Sequence, residues 1–155
     1  MNFDQAFEKL MEHEGGLVEH KADPGGLTNF GISQRSYPGE DIRNMTRARA
    51  AEIYLRDFWG PAGCDALPST LRFQVFDMAV NSGVKTAIKM LQSAVGTVPD
   101  GVIGPKTLQA VNATPVPILI ARFNGRRLEF MAGLPHWPAF GRGWARRIAA
   151  NLQGV

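Results

Sequence analysis

The sequence predicts an all-α fold with at most one short β-hairpin, and three observations carry that prediction. No long alternating run of β-branched residues occurs in the 155 residues, so an extended sheet has no source. Apolar residues recur instead at helical spacing in one stretch after another. Glycine and proline separate those stretches at Gly15-Gly16, Gly83, Gly96, Gly104-Pro105 and Thr114-Pro115. With 45% hydrophobic and 20% charged content, the chain can bury one good core or two small fused ones, and disorder is excluded.

The first helix starts near Phe3. Asn2 can cap it, Gln5 stands three residues on to complete a capping box, and Gly15-Gly16 supplies a stop. At about 100° per residue, Phe7, Leu10 and Met11 share one stripe with Glu14 near its centre, while Glu8 and Glu12 project away. Residues 15 to about 40 are rich in Gly, Pro, Asn, Asp and Ser. They read as a long irregular loop with a short hairpin near Leu27 to Ser33, and loops of this length in compact domains are usually functional.

A second helix opens at Met45-Thr46, capped by Thr46, and runs to about Phe58 with Ala50, Ile53, Tyr54 and Phe58 inward. From Ser69 to Ser82 the chain reads as a helix apolar nearly all round, hence buried on most sides. Its polar exceptions, Asp77 and Asn81, stand i, i+4 and share one edge, so they either pair structurally or line a wet groove. Val84 to Val95 form the next helix, and an Asp100-Gly101 turn leads to Gly104-Pro105 and a short helix through about Val111. A longer helix begins at Thr114-Pro115 with Ile118, Leu119, Phe123 and Phe130, and a last one spans about Ala139 to Leu152.

Composition narrows the chemistry. The single cysteine, Cys64, excludes an internal disulfide framework, fits synthesis in a reducing compartment and reads as a small buried hydrophobe. The acidic, amphipathic start lacks the basic region and apolar run of a secretory signal, and no stretch reaches the ~18 apolar residues of a membrane span. If the target lies outside the cytoplasm, another agent must deliver the protein. A net charge of +3, with Arg126, Arg127, Arg142, Arg146 and Arg147 gathered late in the chain, suggests attraction to a polyanion without choosing which.

Glu14 carries the first chemical argument. A carboxyl at the edge of a core is partly desolvated, and at a helix C-terminus it meets the negative end of the dipole; both disfavour the ionised form. Such a group is equipped to protonate a leaving oxygen, the general acid's task in glycosidic cleavage. The plain alternative is a Glu at a fraying helix end turned to water. Cleavage also needs, as a rule, a second carboxylate, and Asp23 follows after eight intervening residues, with Thr28 five positions later. A loop turning at Pro24-Gly25 could fold both back toward Glu14, although Asp before Pro-Gly is also an ordinary turn former.

These residues belong to a longer pattern. Glu14-Gly15-Gly16, then Asp23-Pro24-Gly25-Gly26-Leu27-Thr28-Asn29-Phe30-Gly31-Ile32, resembles glycoside hydrolase family 108, the N-acetylmuramidases of phages and prophages. Phe76-Asp77-Met78-Ala79-Val80-Asn81-Ser82-Gly83, Leu91-Gln92, Asp100 to Thr107, and Phe140 with Gly143-Trp144 and Arg147 continue the similarity in order through nearly the whole chain. The resemblance implies a lysozyme-like helical fold and the role of catalytic acid for Glu14. It implies a catalytic muramidase part over residues 1–83 and a helical peptidoglycan-binding-like part over 84–155, packed as one globule. Where the family usually has Tyr after the two glycines, this chain has Leu17. The order Glu, Asp, Thr is similar to the triad of other phage lysozymes, with four residues between Asp23 and Thr28 in place of the common five. Asp100-Gly101 through Thr107 resembles the turn of small helical peptidoglycan-binding modules; physically it is also a plain helix-helix connection.

The function expected is that of a peptidoglycan hydrolase, a lysozyme or endolysin, cleaving the β-1,4 bond from N-acetylmuramic acid to N-acetylglucosamine. Glu14 is its acid, Asp23 positions or activates water and Thr28 helps hold that water. Phe30 and Trp59, flat apolar faces beside polar loops, are the candidate sugar platforms, and Asp77 and Asn81 the candidate groove-lining pair. The alternatives are a lytic transglycosylase and a non-catalytic peptidoglycan-binding protein. A zinc site is excluded by Leu17, which stands where a His-Glu-x-x-His motif begun at His13 needs its second histidine. A nucleic-acid binder would leave the Glu-Gly-Gly loop unexplained, and the late arginines alternate with apolar positions as solvated faces do. No cofactor is implied. Peptidoglycan is the expected partner of a monomer that does not insert into membranes, made in the bacterial cytoplasm, delivered by a holin-type pore or secretion machinery, and acting on the wall.

Overall fold

The opening helix is built as its sequence implies. In the computed structural model, which describes residues 1–14, 16–19 and 26–155, Asn2 accepts a hydrogen bond from the Gln5 backbone at 2.9 Å and its own N–H donates to the Gln5 side chain at 3.0 Å. The reciprocal cap starts α1 (Phe3–Met11), which buries Ala6, Phe7 and Leu10. Three short antiparallel strands follow, β1 (Val18–Glu19), β2 (Leu27–Asn29) and β3 (Ile32–Ser33), in the order β1-β2-β3. Strands β2 and β3 are the hairpin predicted near Leu27 to Ser33, pairing Thr28 with Ser33 and Asn29 with Ile32. Strand β1, not foreseen, pairs Val18 with Thr28 and Glu19 with Leu27.

Helix α2 (Arg47–Tyr54) starts at Thr46, whose hydroxyl accepts from the Arg49 N–H at 3.1 Å, and buries Ala50, Ile53 and Tyr54. The Tyr54 and Phe7 rings lie 5.8 Å apart, so α1 and α2 share one small core. On its rim Arg47 stands over the Phe7 ring at 5.4 Å and grips Glu8 with two N–H groups, at 3.3 and 2.6 Å. The α geometry ends at Tyr54, four residues before the predicted Phe58. Leu55–Trp59 widen into a π-helical turn, and Gly60-Pro61 close it because proline offers no N–H to continue.

The chain divides into two compact units, Asn2–Asp57 and Phe58–Val155 with Met1. The second unit is helical among the described residues: a 3-10 turn at Cys64–Ala66, then α3 (Ser69–Ser82), α4 (Val84–Val95), α5 (Pro105–Ala113), α6 (Val116–Ala132) and α7 (Trp137–Gln153). Helix α3 packs on α4 and α6, α4 on α6, and α6 on α7. As its all-round apolar sequence implies, α3 is buried from Phe73 through Ala79 without interruption. Helix α7 starts two residues before the predicted Ala139. Pro138 is accommodated in its first turn, where a missing N–H loses no bond, and the Trp137 ring lies so close over Gly141 that a Cβ there would stand 2.6 Å from it.

One polar cluster holds the three core helices in register. Asp77 on α3 is wholly buried. Its Oδ2 accepts from Arg127 of α6 at 2.9 Å and from Asn151 of α7 at 2.8 Å, and its Oδ1 accepts twice from Arg147 of α7 at 2.9 and 2.7 Å. Gln74, one turn before, donates to the Asn151 carbonyl and accepts from Asn124 of α6. Burial pushes the Asp77 carboxyl up, but the two guanidiniums more than offset it and hold the group below the usual carboxylate range.

Candidate active site

Glu14 follows α1 rather than lying in its last turn. The helix ends at Met11 with Glu12 as C-cap, and two tighter turns carry the chain on, His13 N–H to Leu10 O at 3.0 Å and Glu14 N–H to Met11 O at 3.3 Å. The rotation of α1 is thereby nearly preserved, and Glu14 is half-buried on the side the apolar stripe indicated.

The opposite wall is the tip of the β2–β3 hairpin. Its two turn residues, Phe30 and Gly31, both have left-handed backbone, with φ of 51° and 76°, the conformation of a two-residue type I′ turn. Such a turn matches the twist of the flanking strands, but Phe is a poor choice for its first position and is strained there. The hydroxyl of Tyr54 donates to the Phe30 carbonyl at 2.8 Å and pins the tip from α2. Asn29 anchors the same hairpin by donating to the Ile42 carbonyl at 3.1 Å, and Ile32 is buried beneath it.

Gly31 is where these pieces meet. A Cβ at this position would stand 2.5 Å from the Tyr54 hydroxyl oxygen, 2.7 Å from Glu14 Oε2 and 2.9 Å from its carboxyl carbon. Only a residue without a side chain lets the carboxyl lie against the hairpin backbone, and the positive φ independently favours glycine. The sequence signals a hairpin here; it does not signal that the Glu14 carboxyl packs on its tip or that Tyr54, read only as an inward-facing ring, brings its hydroxyl to the same point.

Thr28 lies in the middle of β2, half-buried, and Phe30 at the tip, half-buried; both belong to the unit that carries Glu14. Asp23 lies outside the described residues. The segment after β3 is held by its own network: Gln34 donates to the carbonyls of Tyr37 and Glu40, Arg49 grips Glu40, and the Tyr37 hydroxyl donates to Asp57 at 2.9 Å. Burial and that bond push the Tyr37 phenol up to about 12, so it is a neutral donor at physiological pH.

Two expected substrate contacts are placed otherwise. Trp59 is 1% exposed, packed edge-on against Phe76 at 5.4 Å with its indole N–H donated to Asp65 at 3.0 Å, so it is a core residue with no sugar-stacking face. Asp77 is buried with both oxygens taken by Arg127, Arg147 and Asn151, so of its two readings the structural one holds. Asn81, one turn on from the buried Asp77, is exposed near the end of α3, where its side chain is open to a ligand. Cys64 is a buried free thiol, pushed up to about 12 by that burial. Among the described residues no three His, Cys, Asp or Glu side chains are grouped to hold a metal, and no helix is long and apolar enough to cross a membrane.

Comparison with known proteins fits this geometry. Residues 7–83 match the family model glycosyl hydrolase 108, and residues 86–149 match one described as a predicted peptidoglycan domain. The solved structure of SagA from Brucella abortus is similar over 96% of this chain and 90% of that one, with 35% sequence identity and a TM-score of 0.88. A search of curated proteins gave no match. The Glu-Gly-Gly segment, the hairpin tip against the Glu14 carboxyl and the helices beyond all fall within this similarity, and the chain belongs to the glycosyl hydrolase 108 family, as a peptidoglycan hydrolase whose later helices match a peptidoglycan domain.

Proposed function

We propose that the chain is an N-acetylmuramidase cleaving the β-1,4 bond from N-acetylmuramic acid to N-acetylglucosamine, with Glu14 as general acid. The observation that carries this reading is the carboxyl of Glu14 lodged half-buried against Gly31, inside the segment that matches the hydrolase family. A carboxyl fixed against backbone is aimed before substrate arrives, and the geometry of proton donation to a leaving oxygen rewards that preorganisation. Asp23 is the proposed second carboxylate, positioning or activating water, and Thr28 on β2 the residue that helps hold it. Phe30, half-exposed at the hairpin tip, offers a ring face to a sugar.

The functional division is proposed at 83/84, a catalytic part followed by a wall-binding part, although the packing division falls at Asp57 and Phe58. The protein acts as a monomer on the cell wall, as an endolysin released through a holin-type pore or as a wall opener delivered by secretion machinery.

Product analysis separates this reading from a lytic transglycosylase. Digestion of purified peptidoglycan followed by mass spectrometry is expected to give reducing N-acetylmuramic acid ends. Ends carrying a 1,6-anhydro ring would assign transglycosylation, in which the sugar's own hydroxyl replaces water.

A further inference from the structure

We propose that Tyr54 is a positioning residue for the Glu14 carboxyl, acting through the hairpin tip. This deepens the assignment of Glu14 as general acid and rests on it. Tyr54 is 1% exposed and held by its ring against Phe7, so its hydroxyl is delivered to a fixed point from the core of the unit. That point is the space over Gly31 that Glu14 Oε2 also borders. The hydroxyl does two things there.

Its hydrogen goes to the Phe30 carbonyl at 2.8 Å, which stabilises a left-handed Phe that would otherwise favour another backbone. Its oxygen borders the same space over Gly31 as Glu14 Oε2, so the tip that it pins is the wall on which the carboxyl rests. Tip and carboxyl are therefore set by one hydroxyl. Without it the ring still fills the core, but the Phe30–Gly31 turn is released and the wall against Glu14 loses its fixed position.

The test is steady-state kinetics on soluble peptidoglycan fragments with Tyr54→Phe, Gly31→Ala and Glu14→Gln beside wild type, each checked by circular dichroism and thermal melting. Tyr54→Phe is expected to lower kcat tenfold or more with KM within about twofold and the melting temperature little changed. A residue that merely supports the fold would lower the melting temperature and leave kcat per folded molecule intact. Gly31→Ala, whose Cβ would stand 2.5 Å from the Tyr54 hydroxyl oxygen and 2.7 Å from Glu14 Oε2 and so push the two apart from the tip, is expected to lower kcat similarly, and it decides the matter if Tyr54→Phe fails to fold. Tyr54→Phe or Gly31→Ala folded, with kcat within threefold of wild type while Glu14→Gln is inactive, overturns the positioning role alone. Activity retained by Glu14→Gln overturns the parent assignment and this one with it.

Discussion

Removing the charge of Asp77 should be among the most damaging single-atom changes in this protein. Asp77→Asn keeps the volume but replaces one carboxylate oxygen with an amide that must face N–H donors, whichever way it is turned. Arg127, wholly buried, and Arg147, 17% exposed, then lose their counter-charge. Breaking a buried ion pair by removing one partner costs about 3–5 kcal/mol, because the remaining charge stays desolvated. Against a total stability of about 5–15 kcal/mol for a domain, that is a large fraction, and at roughly 2–4 °C per kcal/mol for a chain of this size it lowers the melting temperature by about 6–20 °C. The sign with pH follows from the depressed folded-state carboxyl. Its stabilisation is complete above the unfolded-state value near 4 and is lost as pH falls from there toward the lower folded-state value. Urea unfolding of wild type and Asp77→Asn, followed by circular dichroism from pH 7 down to 3, should show a constant gap above about pH 5 that narrows below about pH 4. A gap under about 1 kcal/mol at pH 7, or one that widens in acid, would refute the reasoning.

Other changes test the remaining structure. Trp59→Phe keeps a ring near Phe76 but drops the bond to Asp65 and leaves a cavity where the larger indole was buried; unfolding should show a loss of about 2–3 kcal/mol, and KM on peptidoglycan fragments should not move, as it would if Trp59 stacked on sugar. Gln92 ties the Asp100-Gly101 turn together through bonds to Asp100, Val102, Thr107 and the Gly101 N–H. Gln92→Ala should cost about 2–4 kcal/mol and speed hydrogen exchange at Gly101 and Val102 before anywhere else. The Cys64 thiol, buried and raised to about 12, should resist a thiol reagent at pH 8 in the folded protein and react fully in denaturant; fast labelling of native protein would contradict its burial.

Much of the fold was legible because its signals are local. The Asn2 and Gln5 capping box, the Thr46 cap, the all-round apolar α3 and the hairpin at Leu27 to Ser33 each need only a few neighbouring residues to specify them. Trp59 adjoins polar loops in the sequence and is nonetheless buried. At about 100° per residue an α-helix continued past Tyr54 turns residue 59 away from the buried side, whereas the i→i+5 spacing of the π turn at Leu55–Trp59 brings it back round. Asp77 left two readings open in sequence because its partners, Arg127, Arg147 and Asn151, lie 50 to 74 residues away and no pattern links them. Tyr54 was recognised as a core ring, but its hydroxyl meets a backbone carbonyl 24 residues earlier, and a carbonyl has no sequence signature. Glu14 stood out from the start, since an acid centred on an apolar stripe conflicts with the pattern around it, and such local conflicts concentrate at functional sites.

The central claim is that the Glu14 carboxyl supplies the proton for glycosidic cleavage, and the most direct measurement is the turnover of purified peptidoglycan by Glu14→Gln. The amide keeps the shape of the side chain against Gly31 and cannot act as the acid, so general-acid contributions of about 10²–10⁴ predict at least a hundredfold loss of rate in a variant that remains folded by circular dichroism. A folded Glu14→Gln that digests peptidoglycan within threefold of the wild-type rate would contradict the account.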